Sequence, residues 1–270
     1  MTWPNSCPSP RSKYNVVIRM DSHEYCFSFE WGNATVFGTA SYWISQYLIN
    51  FGQNHIPNQK IGKTLFEETV ACVLGGYGIP AEVALEAFRI LKGEGLATLS
   101  HRISGDDIED VLRRPIFVGN RQFNYRFPKQ KATRIVNAFT YFSENPKPPS
   151  KPLALRKWLL GINGIGKKTA SWIVRNHTAS DKVAVIDIHI QRAGNLAGFF
   201  LPEWKLPVDY DLMEKAFLAF ANAGQIPASG LDSLIWSQMR VLSGPNIKGY
   251  QHCKLPSLPS GTVQINQLLP

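Results

Sequence analysis

Cysteine is scarce in this chain, and the few cysteines present are scattered. The 270 residues include only four, which are Cys7, Cys26, Cys72 and Cys253. A disulfide framework, a structural zinc site and an iron–sulfur cluster all need clustered ligands. The wide spacing argues against all three, so the sequence predicts no metal site built on cysteine.

Long apolar segments are also missing. No run of 18 apolar residues occurs, and the first residues, Met1-Thr2-Trp3-Pro4-Asn5, have no signal-like apolar core. A membrane-spanning helix or a secretory signal would require such segments. We therefore expect a cytoplasmic protein with no membrane partner.

Acidic residues are depleted in one part of the chain. Residues 113–192 contain 16 Lys or Arg but only three Asp or Glu, whereas the whole chain has 29 basic and 20 acidic residues. A basic block of this kind is typical of a protein with a polyanionic partner. Its cations are interspersed with turns and apolar positions, which disfavours a membrane-surface helix.

The centre of this basic block is a glycine-rich turn, Gly161-Ile162-Asn163-Gly164-Ile165-Gly166. Apolar residues at spacings of three and four precede and follow the turn, which predicts a helix, a glycine hairpin and a second helix. Backbone amides of such a turn, at the start of a helix, can bind an anion without any side chain. The expected anion is a phosphate.

A nucleotide-binding P-loop is the first alternative for this turn. The pattern from Gly161 to Lys167 differs from that motif at one position, because Lys168 stands where Ser or Thr is required. The segment before the turn is also an amphipathic helix and not a strand. Both departures argue against a P-loop hydrolase.

Two residues of this segment can carry chemistry on a nucleoside. A lysine attacks C1′ of a sugar only when its amine is uncharged, and both a helix N-terminus and the adjacent Lys167 disfavour the charged form of Lys168. Asp187 follows the apolar residues 183–186 at a predicted helix N-cap. Its carboxylate could orient the amine and stabilise positive charge on the sugar. A surface lysine and an ordinary capping aspartate are the simpler interpretation of the pair alone.

The hairpin, Lys168 and Asp187 together resemble the helix-hairpin-helix DNA glycosylases, and most closely the type 2 8-oxoguanine DNA glycosylase/lyases of archaea and bacteria. The resemblance covers roughly residues 60 to 245. Three further segments are similar and follow in the same order: Leu65-Phe66-Glu67-Glu68, Arg126-Phe127-Pro128-Lys129-Gln130-Lys131-Ala132 and Leu231-Asp232-Ser233-Leu234-Ile235-Trp236.

This resemblance implies a mostly α, two-lobed helix-hairpin-helix DNA glycosylase fold with a small N-terminal β-hairpin extension. The implied activity is excision of a damaged purine, with 8-oxoguanine the first candidate, from double-stranded DNA through a lysine Schiff base. β-Elimination at the resulting abasic site would follow. The implied protein is a monomer that associates with the nucleoid and needs no cofactor, apart from a structural monovalent cation at the hairpin.

The resemblance also implies roles for individual residues. Lys168 and Asp187 would be catalytic, and the DNA backbone would be bound by the set Gly164, Gly166, Lys167 and His189. A lone histidine is also commonly structural, so both interpretations of His189 stay open. A glycosylase of the same fold for another damaged or modified base, and a non-catalytic DNA-binding protein, are the two alternatives for the chain as a whole.

Aromatic residues supply candidates for handling an extruded base, which needs flat apolar walls and a few polar contacts. Trp172, Trp236 and Gln238 are the candidates for the base pocket, with plain core packing as the alternative for the tryptophans. Residues 113–131 are expected to form a loop with interleaved basic and aromatic residues. By resemblance, Phe127 would be the wedge in the base stack and Arg126 would contact the orphaned opposite base. A solvated loop with its aromatics folded underneath is equally consistent with this pattern.

Four segments follow from these patterns. Residues 1–36 would form a tail and a β-hairpin with strands at 14–20 and 24–31, and residues 37–145 a helical lobe. Residues 146–245 would form the helix-hairpin-helix lobe, and residues 246–270 a flexible tail. The resembling enzymes read the damaged guanine partly through a C-terminal end close after the last helix. Because this chain continues well beyond that point, the identity of the excised base stays open.

Overall fold

The computed structural model describes residues 9–20, 23–52, 59–76, 78–242 and 264–267. This part of the chain contains ten helices and five short strands, so the predicted mostly α fold with an N-terminal β-hairpin is confirmed. The helices are α1 (Ala40–Phe51), α2 (Leu65–Leu74), α3 (Ala81–Gly93), α4 (Gly105–Arg113), α5 (Pro128–Glu144), α6 (Pro152–Leu159), α7 (Lys167–Thr178), α8 (Ile188–Ala197), α9 (Tyr210–Ala223) and α10 (Ala228–Leu242). The strands are β1 (Lys13–Met20), β2 (His23–Glu30), β3 (Ile116–Val118), β4 (Arg121–Phe123) and β5 (Gln264–Gln267).

The chain forms two compact units. The central unit is Asn58–Ser180, and the split unit combines Met1–Pro57 with Asp181–Pro270. The four segments expected from the sequence, with boundaries at residues 36, 145 and 245, do not coincide with these units. The reason is that α7 packs on α2 as well as on α6, which places the hairpin with the helices that precede it.

The central unit is organised around α2. The Thr64 side chain accepts a hydrogen bond from the Glu67 amide, which caps the helix at its start. The buried Phe66 ring makes an edge contact with Phe142, whose ring also meets Trp158. Helix α2 therefore packs against α3, α5 and α7, and it supports the helix that carries Lys168.

Residues 113–131 do not form a plain loop, so this prediction was wrong. β3 and β4 pair as an antiparallel hairpin around a two-residue turn at Gly119, whose φ is +57°. Ile116 faces the core, whereas the neighbouring Phe117 is 60% exposed. Buried and exposed side chains alternate over only three positions here, among many basic residues. A pattern this short does not predict a strand.

The split unit contains the predicted β-hairpin and a large aromatic core. β1 and β2 pair from Lys13 with Glu30 to Met20 with His23, which confirms the predicted strands within about one residue. The core side of these strands packs on helices of the same unit, and the Phe199 and Phe220 rings stack there at 4.2 Å. Trp43 and Tyr47 are fully buried, as expected for aromatics at helical spacing.

The C-terminal segment holds one element that the sequence did not predict. Strand β5 pairs antiparallel with β2, with His23 opposite Gln267 and Cys26 opposite Gln264. This strand lies inside the segment expected to be a flexible tail. The rest of that segment, residues 246–263 and 268–270, lies outside the described residues, as do residues 1–8, so the flexibility of the tail stays a prediction.

Candidate active site

The glycine hairpin lies between α6 and α7. The Ile162 and Ile165 side chains are buried and anchor the turn, and the Ile165 amide donates to the Ile162 carbonyl at 3.0 Å. Gly164 has a φ of +94°, a conformation that a residue with a side chain rarely adopts. Gly166 is the N-cap of α7 and has no side chain to accept from the first-turn amides. The hairpin thus presents a helix N-terminus suited to an external anion, as predicted.

Lys168 is half-buried in the first turn of α7 and lines a cleft of about 290 Å³. The described lining of this cleft consists of Val73, Gly75, Gly76, Phe127, Gln130, Lys131, Arg134, Gly164, Lys168 and Thr169. Three of these residues are cationic and, among the described lining residues, none is acidic. A cleft with this lining favours an anionic ligand.

Phe127 lies at this cleft in an unusual backbone conformation. It is the N-cap of α5 with a φ of +67°, and its ring is 41% exposed. The Arg126 guanidinium lies over the ring, 4.6 Å from its centre. Arg126 also lies against Gly78, where an added Cβ would collide with the guanidinium. Strain of this kind at an exposed aromatic is consistent with a functional position, and the wedge and orphan-base roles stay predictions.

Lys131 is the feature of the cleft that the sequence did not reveal. Its side chain is only 5% exposed, and its Nζ donates to the carbonyls of Val73 at 2.6 Å and Gly75 at 2.7 Å. Burial, with smaller contributions from the charges of Arg134 and Lys168, lowers the pKa of Lys131 to about 8. Sequence reasoning placed it among the basic residues of the segment 113–131, and nothing in that pattern distinguished it from the other cations.

A buried polar network joins α2 to α7 within the central unit. The fully buried Glu68 carboxylate accepts from the amides of Ile61 and Gly62, and from the Asn176 side chain at 2.8 Å. The thiol of Cys72 also points at Glu68, and burial raises its pKa well above the ordinary value. This network fixes the orientation of the helix that presents Lys168.

Asp187 belongs to the split unit. Its Oδ1 accepts from the amides of His189 at 2.8 Å and Ile190 at 3.0 Å, so the predicted N-cap of α8 is confirmed. The side chain is 9% exposed, and among the described residues only Oδ1 has hydrogen-bond partners. The second oxygen is therefore available to a ligand, and a catalytic role for it stays a prediction.

The segment that leads into Asp187 is held by side chains from two helices. The Ala184 amide donates to Glu214 at 3.0 Å, and the Val185 amide donates to Asp232 at 2.9 Å. Both acids are buried. Asp232 belongs to one of the segments that resemble the family. Its carboxylate accepts the hydrogen bond of a buried backbone amide, and it thereby fixes the segment that leads into Asp187.

The other candidates of the split unit cluster around α10. The half-buried Trp236 ring makes an edge contact with the His189 ring, with centroids 6.4 Å apart, and the Arg240 guanidinium lies over it at 5.0 Å. The Gln238 amide group accepts from the Tyr42 hydroxyl at 3.1 Å and donates to Gln46 at 3.2 Å. Gln238 is therefore held against α1, and a contact with a base would require it to exchange these partners.

Trp172 packs inside the central unit. Its ring lies against the backbone of Gly75, where an added Cβ would be 2.7 Å from the ring. It is half-buried and is not among the described residues that line the Lys168 cleft. The structure thus places it next to Gly75, which lines the cleft, and its role in a base pocket stays a prediction.

Neither a metal cluster nor a membrane segment is found in the part of the chain that the structure describes. Cys26 and Cys72 are free thiols, whereas Cys7 and Cys253 lie outside the described residues. No group of three or more His, Cys, Asp or Glu side chains converges within these residues. None of the helices in the described ranges combines the length and the apolar character that a membrane span needs.

Comparison with known proteins identifies relatives of this chain. The family model for 8-oxoguanine DNA glycosylase, Ogg-HhH, matches residues 49–226. Two solved structures of the Methanocaldococcus jannaschii 8-oxoguanine glycosylase/lyase are similar in fold, each with a TM-score of 0.51 and 24% identity. The one in complex with 15-mer DNA containing 8-oxoguanine covers 74% of this chain and 88% of its own, and the other covers 72% and 85%. No curated protein sequence matches the chain.

The structural likeness shows the fold, and the family model spans more than half of the chain. The helix-hairpin-helix fold and the DNA-repair enzyme class predicted from the sequence are both confirmed by these matches. This chain belongs to the 8-oxoguanine DNA glycosylase family.

Proposed function

We propose that this protein excises 8-oxoguanine from double-stranded DNA and then cleaves the strand at the abasic site, with Lys168 as the nucleophile. The observation that carries the proposal is the position of Lys168: it follows the glycine hairpin and lines a cationic cleft bordered by an exposed Phe127. A family relative bound to DNA that contains 8-oxoguanine supports this choice of substrate.

The reaction begins with base extrusion. Phe127 enters the space left in the stack, and Arg126 contacts the orphaned base, at a cost of a few kcal/mol for unstacking. Amides of Gly164, Gly166 and Lys167 hold the DNA backbone, where the helix N-terminus favours phosphate. His189 makes a further backbone contact, and Trp172, Trp236 and Gln238 receive the extruded base.

The chemical steps use the amine of Lys168 in its uncharged form. Its lone pair attacks C1′, the C1′–N9 bond breaks, and the base leaves with the bonding electrons and takes up a proton. The amine loses a proton as the sugar ring opens to a Schiff base. Loss of a C2′ proton then expels the 3′-phosphate, and water releases the enzyme. Asp187 stabilises positive charge on the sugar during the first step.

The test is incubation of the protein with duplexes that each carry one lesion, followed by identification of the free base by mass spectrometry. Borohydride should trap a covalent complex with wild-type protein and none with Lys168→Gln. Lys63→Gln, which removes an exposed lysine of the same unit outside the cleft, serves as the matched control and should trap normally. Release of a different base would redirect the substrate assignment, and full trapping by Lys168→Gln would exclude the nucleophile.

A further inference from the structure

The cleft contains a second amine whose position the proposed chemistry does not use. Lys131, on α5, is buried beside the C-terminal end of α2, where its Nζ donates to the carbonyls of Val73 and Gly75. Carbonyls at a helix C-terminus lack intrahelical partners and carry partial negative charge. The two carbonyls fix the position of the Lys131 amine and interact favourably with its charge. No described residue that lines the cleft supplies a carboxylate for this purpose.

Lys131 and Lys168 act on each other electrostatically. The charge of Lys168 is one of the causes that lower the pKa of Lys131, after burial and the charge of Arg134. Two positive charges in one cleft repel each other, so the unfavourable interaction belongs to the pair of amines and not to Lys131 alone. Near neutral pH, Lys131 remains mostly protonated because its pKa is about 8.

We infer that Lys131 is a positioning residue for Lys168: its ammonium group, fixed by two backbone carbonyls in the same cleft, favours the uncharged amine that attacks the sugar. This inference rests on the proposed role of Lys168. In this inference, the positive charge of Lys131 takes the place of a general base in activating the nucleophile.

The other charged groups around the pair do not substitute for Lys131. Arg134 lines the cleft, but the two-carbonyl clamp is made by Lys131 alone among the described lining residues. Glu68 and Arg175 lie in the buried network that includes Asn176, and Glu68 accepts three N–H groups there. Cys72 and Tyr125 also pack here, and burial raises the pKa of each, so both are neutral near pH 7. Lys167 adds a positive charge on the adjacent residue.

The competing explanation is that Lys131 only stabilises the end of α2. The two explanations differ in their effect on a pH profile. We would measure the single-turnover rate of cyanoborohydride trapping on a duplex with a preformed abasic site, at saturating protein, from pH 5.5 to pH 9.5. In this assay the Lys168 amine condenses with the C1′ aldehyde, water leaves, and hydride reduces the imine. Base recognition therefore plays no part.

Lys131→Met removes the charge at nearly constant volume, and Lys131→Arg keeps it. We expect Lys131→Met to move the midpoint of the profile upward by about half a pH unit, because Lys168 is the smallest of the three causes that lower the pKa of Lys131. Trapping near pH 6.5 would then fall about threefold. Lys131→Arg and the control Lys63→Gln should keep the wild-type midpoint. Lys131→Gln, whose amide can still donate to a carbonyl, repeats the test if Lys131→Met does not fold.

The outcomes separate the inference from the proposed function. An unshifted midpoint in folded Lys131→Met or Lys131→Gln, with a rate lowered equally at every pH, would overturn the inference and leave Lys131 a structural residue. Absence of trapping by the wild-type protein would instead overturn the lyase proposal itself. A midpoint that shifts with loss of charge and returns in Lys131→Arg supports the positioning role.

Discussion

The hairpin glycines Gly164 and Gly166 should respond differently to the same substitution. Gly164→Ala should destabilise the protein by about 2–3 kcal/mol, whereas Gly166→Ala should leave its stability nearly unchanged and weaken DNA binding. Comparing the two variants separates the contribution of the hairpin to stability from its contribution to DNA binding.

The magnitude for Gly164 comes from two contributions. Its φ of +94° costs a residue with a side chain about 1–2 kcal/mol. An added Cβ would also lie 2.7 Å from Cγ of Arg134. Moving that side chain off its preferred rotamer costs about 0.5–1.5 kcal/mol.

Gly166 has neither constraint. Its φ of −95° and ψ of 177° are ordinary extended backbone, and no atom lies within 4 Å of an added Cβ. Loss of a glycine N-cap to alanine should cost less than about 1 kcal/mol. If a phosphate occupies the space in front of these amides, the methyl group will obstruct it, and we expect affinity to fall about tenfold.

Urea unfolding followed by circular dichroism gives the stabilities, and fluorescence anisotropy with an undamaged duplex gives the affinities. Wild-type stability of Gly164→Ala would contradict the reasoning about backbone strain. Undiminished duplex binding by Gly166→Ala, with its fold intact, would show that DNA does not approach the start of α7.

Three further predictions follow from single residues. In urea unfolding, Phe127→Gly should be more stable than Phe127→Ala by about 1 kcal/mol, because glycine tolerates the positive φ. Both variants should excise the lesion far more slowly than wild-type protein in a base-release assay. Glu68→Gln should lower the free energy of unfolding by roughly 2–3 kcal/mol, because an amide cannot accept from all the N–H donors of Ile61, Gly62 and Asn176; an unchanged denaturation midpoint would refute this. Lys131, with a pKa of about 8 instead of 10.5, binds fewer protons in the folded than in the unfolded state between those values. The stability of wild-type protein should therefore rise by roughly 3 kcal/mol from pH 8 to pH 10.5 relative to Lys131→Met, and parallel stability curves would contradict it.

Local signals made the helices and the N-cap at Asp187 predictable from the sequence. Helix α2 has such signals at both ends, because Thr64 caps its start and Gly75 follows its end. Asp187 could be placed because an apolar run ends immediately before it and a helix-period pattern begins after it. Each of these signals lies within a few residues of the feature that it predicts.

Features that depend on distant residues could not be predicted in the same way. Lys131 was indistinguishable from the other cations of residues 113–131, since its burial depends on α5 packing against α2, and its hydrogen-bond acceptors lie 56 and 58 positions away. Strand β5 escaped prediction because its pairing with β2 joins opposite ends of the chain. The buried acids that hold the backbone before Asp187 come from α9 and α10, 30 and 47 positions away from the amides that they bind.

The cations that line the cleft oppose folding by their mutual repulsion, but they suit the proposed reaction. Lys131, Arg134 and Lys168 share one small space, and among the described residues lining it no carboxylate offsets them. A fold selected only for stability would place an acid there, because like charges in a partly buried site oppose folding. An acid would also favour the charged form of Lys168 and repel phosphate, so it would weaken both steps that the proposed reaction needs. The lowered pKa of Lys131, caused first by burial and then by the charges of Arg134 and Lys168, is consistent with a cleft built to receive an anion.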